Sequence, residues 1–237
     1  MEEDKNIQGP PVPEITEENE PSSFRLIFTL GFAGFVAGII MVGAYLFTKP
    51  IIEANKAAAI EKAIFQVLPN CTSFKPLELK NGKLSAYDPT IKKSNAKGDA
   101  PKLVYMGFDK SNNVAGFAVL GSEIGFADLI NVLIGYDATK KTIIGFRVLE
   151  CKETPGLGDK ITKDAAFQKN FVALLTEPEI KFAKNGEKHN PNEVEAITGA
   201  TISSKAVIRL LNKAMNEWKG PIDDYLKLND TKTVKTN

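Results

Sequence analysis

Between Glu195 and Ser204 the chain reads Glu-Ala-Ile-Thr-Gly-Ala-Thr-Ile-Ser-Ser, a run that leaves a β-rich stretch and opens an amphipathic helix on hydroxyl residues. Backbone N–H groups at a helix start lack an intrahelical partner and sit at the positive end of the helix dipole. A phosphate can therefore be held there without a charged side chain. Gly199 and Ala200 remove the bulk that would keep a ligand from the backbone. The same spacing also suits a plain N-cap by Thr201 or Ser203. Upstream, Glu153-Thr154-Pro155-Gly156-Leu157-Gly158 is a second run of turn-forming residues, and alone it reads as an ordinary turn.

Other chemistries find little support. The single histidine, His189, lies in a Lys-His-Asn-Pro turn with no evident nucleophile beside it and reads as an exposed loop residue. Cys71 and Cys151 belong to no C-x-x-C pair, and a metal site would need more ligands. They read as small packed residues, with a disulfide between them open in an oxidising compartment. There is no G-x-G-x-x-G fingerprint for a nicotinamide and no multi-cysteine cluster pattern. Redox chemistry in this chain has to come from a bound cofactor.

Taken together, Thr198-Gly199-Ala200-Thr201 followed by x-Ser, and Glu153-Thr154-Pro155-Gly156-Leu157-Gly158 ahead of it, resemble the two motifs of a covalent FMN-binding family. This family includes the G subunit of the Rnf electron-transport complex and the C subunit of the sodium-translocating NADH:quinone reductase. Lys152 before the second motif and Asp159-Lys160-Ile161 after it are more similar to the Rnf version. The resemblance implies that Thr201 carries FMN through a phosphoester bond installed by a separate flavin transferase. It further implies that Thr198, Gly199 and Ala200 shape the phosphate turn, and that Glu153, Thr154, Leu157 and Gly158 line the flavin ring. As implied, the chain relays electrons inside a complex that passes them between ferredoxin and NAD and couples the flow to ion movement. Its partners would be the other membrane subunits. The chain departs from the family pattern at Glu195, where Asp is usual, and at Cys151, where His is common. Glu123-Ile124-Gly125-Phe126-Ala127-Asp128 replaces glycine-rich sequence. The alternatives are the quinone-reductase C subunit and a non-redox, membrane-tethered assembly module in which both motifs are only a cap and a turn.

These residues need positioning elements. With 30 basic and 29 acidic residues in 237, the charge balance suggests no nucleic-acid partner. Leu26 to Thr48 contain no charge and are bracketed by Arg25 and Lys49. At ~1.5 Å per residue this stretch is long enough for a bilayer core of ~30 Å. The acidic region ahead of it and the length of the apolar run favour an uncleaved anchor over a signal peptide. Gly34 and Gly38 form a G-x-x-x-G pair that suits close approach of another membrane helix, although glycine is common in such helices anyway. One span with no internal charge offers no ion pathway. Lys5 and Arg25 on one side against Lys49, Lys56 and Lys62 on the other lean toward an internal C-terminal domain. The resemblance implies the extracytoplasmic side of a bacterial inner membrane, and a long domain can translocate against so small a bias.

The expected organisation is a disordered tail over 1–23, an anchor over 24–49, a linker helix over 50–69, an FMN-binding domain over 70–228 and a mobile tail over 229–237. Pro50 opens the linker helix and Pro69 ends it. Residues 70–101 read as irregular. Val104 to Asp109 with Val114 to Leu120, and Leu133 to Asp137 with Ile144 to Leu149, form two echoing hairpins around polar turns. Ala165 to Leu175 reads as a helix and Glu193 to Ile197 as a strand. Ser203 to Trp218 reads as a closing helix, with Val207, Leu210, Leu211, Ala214 and Trp218 on its apolar face, stopped by Gly220-Pro221. The fold class is α+β, with helices packed on a mostly antiparallel sheet.

Overall fold

The computed structural model describes residues 22–88 and 101–234, with side chains described up to 229. The expected disordered N-terminal tail lies outside the described residues, save that helix α1 (Ser23–Val67) already begins at its end. The chain divides into two compact units, residues 1–54 and 55–237.

In the first unit α1 is fully exposed, its apolar window has a mean hydropathy of 2.3, and none of that window is buried by protein. Burying so much bare apolar surface is what a bilayer does. The Thr29 and Thr48 hydroxyls donate to the carbonyls of Arg25 and Ala44, so both threonines of the span are satisfied inside the helix. Pro50 does not open a second helix; it sits inside α1. Proline removes one backbone hydrogen bond, but the run Ala54 to Ala63 is rich in alanine, lysine and glutamate and sustains the helix beyond it.

The second unit is built on one large sheet. Its seven-stranded antiparallel sheet has the order β2-β1-β3-β4-β5-β6-β7, with β1 (Ser73–Lys80), β2 (Lys83–Ala86), β3 (Leu103–Phe108), β4 (Val114–Ile124), β5 (Leu129–Asp137), β6 (Thr142–Glu150) and β7 (Leu174–Leu175). The echoing hairpins are β3-β4 and β5-β6. Within the segment read as irregular, residues 73–86 correct to a third hairpin, β1-β2, turning on Asn81 and Gly82 with φ of 50° and 75°, while 89–100 lie outside the described residues. Asn-Gly is the dipeptide that such a positive-φ turn requires. Two short helices, α2 (Lys160–Lys163) and α3 (Ala165–Lys169), and a parallel pair, β8 (Lys181–Ala183) with β9 (Glu193–Glu195), lead to α4 (Thr201–Val234).

Two expected elements are shorter than the sequence suggested. Helix α3 stops at Lys169 because Asn170 turns its side chain onto the Phe167 carbonyl and the Glu195 backbone, and Ala173 takes φ 60°. Strand β9 stops at Glu195 because the Ile197 amide is taken by Ser204 Oγ. The closing helix is longer instead. It starts at Thr201 and runs through Gly220-Pro221 to Val234, with Ile222 fully buried and Tyr225 and Leu226 packed on the core beyond the proline. Burial of those side chains carries the helix across the local stop signal.

One sheet face packs on α4 through Val207, Leu210, Leu211, Ala214 and Trp218, all buried as the helical spacing implies. The other face receives the end of α1, where Ala63, Ile64, Val67 and Leu68 are buried. A furrow of glycines admits them. Gly107 faces Gly116 and Gly135 faces Gly145 in the strand registers, and a Cβ on Gly135 or Gly145 would collide with the Val67 carbonyl.

Candidate FMN site at the start of the closing helix

The site forms where three loops meet. Thr198 to Ala200 lead into α4, and Gly199 takes φ 82°, a left-handed turn that glycine makes without strain. Ser204 N donates to the Ala200 carbonyl as the first bond of the helix. Among the described residues, the amides of Thr201, Ile202 and Ser203 have no hydrogen-bond partner. Neither Thr201 nor Ser203 serves as the cap that the spacing also allowed, since Ser203 Oγ donates to Glu153 Oε2 at 2.7 Å.

Glu153 is the centre of the second loop. Its buried carboxylate also accepts from the amides of Phe126 at 2.8 Å and Ala127 at 3.1 Å, which belong to the β4-β5 turn. Burial pushes the carboxyl upward. Hydrogen bonds from Ser203, Ala127, Phe126 and Asp128 outweigh it and hold the group below its ordinary value. Gly125 and Gly158 flank the carboxylate, and a Cβ on either would collide with it. Asp159 steadies the far side of the loop by accepting from the Gly156 amide at 2.7 Å and from Lys163.

A cavity of ≈ 320 Å³ lies between these loops, lined by Phe126, Glu153, Thr154, Leu157, Gly158, Gly199, Ala200, Thr201, Ile202 and Ser203. Phe126, Leu157 and Ile202 are 66%, 49% and 52% exposed, so three large apolar side chains stand open around one opening. Unpaired helix-start amides beside an apolar rim match the two ends of FMN, a phosphate and a flat aromatic ring. The residues present fit that group.

Of the residues singled out from sequence, Glu153, Thr154, Leu157, Gly158, Gly199, Ala200 and Thr201 meet at this cavity. Thr198 does not. Its hydroxyl is 3.2 Å from Asn185 Nδ2, and it lines a neighbouring cavity of ≈ 240 Å³ with Lys160, Asp164, Asn170 and Glu195. Glu195 Oε1 accepts from the Gly186 amide at 2.5 Å. Sequence reasoning missed Phe126, which sits in the segment noted only as a departure from glycine-rich sequence, and it missed Ile202. It weighed Ser203 as a cap and not as a partner for Glu153. Cys71 and Cys151 are free, half-buried and packed against different apolar clusters. His189 is exposed. A larger cavity of ≈ 410 Å³, lined by Lys56, Ala59 and Ile60 with Leu120, Asn131, Leu149 and Glu150 among others, includes none of these residues.

The FMN-binding domain family matches residues 125–216, an interval that contains the whole lining of the smaller apolar-rimmed site. The G subunit of the ion-translocating oxidoreductase complex of Methanosarcina acetivorans is 32% identical over 192 residues, covering 81% of this chain and 92% of that protein. The G subunit of the Na(+)-translocating ferredoxin:NAD(+) oxidoreductase complex of Acetobacterium woodii is 29% identical, covering 86% and 97%. Its proton-translocating counterpart from Clostridium ljungdahlii is 26% identical, covering 85% and 94%. Among solved structures, NqrC of Shewanella oneidensis superposes with a TM-score of 0.53 at 21% identity, covering 68% of this chain and 85% of that one, which shows a shared fold. The chain belongs to the family of G subunits of ion-translocating oxidoreductase complexes, as a membrane-anchored, electron-carrying subunit built on an FMN-binding domain.

Proposed function

We propose that this subunit holds FMN covalently, through a phosphoester on the Thr201 hydroxyl, and relays electrons through it within an Rnf-type ferredoxin:NAD oxidoreductase. The observation that carries the reading is one cavity joining the exposed Thr201, three unpaired amides at the start of α4 and an open apolar rim. FMN supplies one- and two-electron chemistry when bound. The chain's own residues do the rest. The amides of Thr201 to Ser203 bind the phosphate end, assisted by the helix dipole. Phe126, Leu157 and Ile202 keep water from the ring, and Gly199 keeps the turn bare. A covalent link suits a domain on the extracytoplasmic side of the membrane, where a lost cofactor has no pool from which to be replaced. Attachment there requires a flavin transferase as a maturation partner, and the other complex subunits and the bilayer are the standing ones. The named relatives include both a sodium- and a proton-translocating complex.

The test is peptide mass spectrometry of the full chain, purified from its native membrane or co-expressed with a flavin transferase, alongside Thr201→Ala. The expected result is an FMN adduct on the Thr201 peptide and none in the variant, with the fold retained because residue 201 is exposed. An unmodified Thr201 peptide, with the transferase active on a control substrate, overturns the covalent assignment.

A further inference from the structure

The Glu153 carboxylate stands at the junction of the three loops of the site, and its surroundings are unusual. It is 6% exposed, lines the same cavity as Thr201, and accepts hydrogen bonds from Ser203 Oγ and from the amides of Phe126 and Ala127. All of these donors are neutral. No ion pair with Glu153 occurs among the described residues. The nearest cationic side chain in sequence, Lys152, pairs with Asp128 and Glu150 instead. Gly125 and Gly158 lie so close to the carboxylate that a Cβ on either would collide with it. Hydrogen bonds from neutral groups stabilise a charge without cancelling it. A buried charge acts over a longer range than an exposed one, because solvent screens it less.

Building on the FMN reading above, we infer that Glu153 is a positioning residue that acts electrostatically, clasping the β4-β5 turn to the first turn of α4 and keeping a fixed negative charge in the wall of the flavin cavity. That charge opposes electron uptake by the flavin and makes the bound cofactor a stronger reductant. The residue touches the loops that define the cavity and keeps the hydroxyl of Ser203, two residues beyond the attachment point, engaged. Among side chains, glutamine alone reproduces its shape and can still accept from both amides while offering Ser203 a donor, so Glu153→Gln removes the charge and spares the clasp.

The experiment compares the full chain, co-expressed with a flavin transferase, as wild type, Glu153→Gln, Glu153→Asp and Ser203→Ala. Mass spectrometry of the Thr201 peptide reports loading, and equilibrium redox titration reports the flavin potential. In Glu153→Gln the equilibrium constant for reduction should rise at least tenfold, which is about 30 mV upward for a two-electron couple. Ser203→Ala, which weakens the clasp but keeps the charge, should shift it less than threefold. A loaded Glu153→Gln chain with an unchanged potential overturns the inference, as does an upward shift of equal size in Ser203→Ala, which would mark loosening and not charge. Should Glu153→Gln fail to load, Glu153→Asp decides: a wild-type potential supports the charge assignment and a tenfold rise overturns it. Absence of FMN from the wild-type Thr201 peptide is a separate outcome. It removes the covalent reading, and this inference falls with it.

Discussion

Adding one methyl group at Gly158 should disassemble the site by forcing apart the loops that Glu153 and Ser203 hold together. A Cβ there would lie 2.8 Å from both Ser203 Oγ and Glu153 Cβ, and closer still to Glu153 Oε2. Neither neighbour is free to yield. Glu153 is held by two turn amides and Ser203, and Ser203 is buried in the first turn of α4. Overpacking of this kind costs about 1–3 kcal/mol. The least costly escape, rotating Ser203 away, gives up a hydrogen bond to a charged group worth about 1.5–3 kcal/mol. The two costs overlap, because the rotation relieves part of the clash, so Gly158→Ala should destabilise by about 3 kcal/mol. For a domain of this size that lowers Tm by about 6–12 °C. Thermal unfolding followed by fluorescence of the lone tryptophan, the buried Trp218, measures it on the full chain in detergent. Loading of the Thr201 peptide should fall severalfold in parallel. Gly156→Ala is the control: its φ of 78° makes alanine strained, yet nothing lies within 4 Å of the new methyl. That variant should lose only about 1–2 kcal/mol and keep its loading. A Gly158→Ala chain that melts within 2 °C of wild type and loads normally, taking ~2 °C as under 1 kcal/mol, would show that the loops are not interlocked as described.

Other perturbations separate further parts of the molecule. Gly135→Ala, whose Cβ would run into the Val67 carbonyl, should cost about 3 kcal/mol in thermal unfolding, because two backbones must part. Tyr136→Phe should change stability by less than about 1 kcal/mol or raise it, since among the described residues the buried Tyr136 hydroxyl makes no hydrogen bond of good geometry. Hydrogen bonds from the Asn190 side chain and from the His189 and Asn190 amides lower the Glu193 carboxyl to about 2 from an ordinary 4.5. A folded-state value below the unfolded one means that the contribution is complete above pH 4.5 and is lost as the pH falls toward 2. Glu193→Gln should therefore flatten the acid limb of a plot of Tm against pH over that window. An unchanged slope would discount the turn.

The parts of this protein that were legible in sequence are those set by neighbours along the chain. An uninterrupted apolar run, a helix with apolar residues on one side, and polar turns between apolar strands each arise within a few residues of one another. Asn81-Gly82 carried an equally local signal for the β1-β2 hairpin, and it was there to be read. Pro50 and Gly220-Pro221 misled because a local stop signal competes with burial of residues beyond it, such as Ile222. The two motifs named residues most of which the fold gathers around one cavity, but motif position alone could not distinguish Thr198, which turns toward Asn185, from its neighbours Gly199 and Ala200.

Sequence by itself determined the membrane-spanning character of the first helix, the amphipathic closing helix, the paired hairpins and the FMN family. Tertiary structure decided the rest. It brought Glu153 against Ser203, 50 residues away, and placed Phe126 of the β4-β5 turn at the same cavity. It also gave the echoed glycines their purpose, a furrow across four strands that admits Val67 and Leu68. The physical reason is common to all three. A side chain's propensity depends on its own backbone, whereas its partner depends on strand register and loop path, which only the packing of the whole sheet between its two covering helices determines.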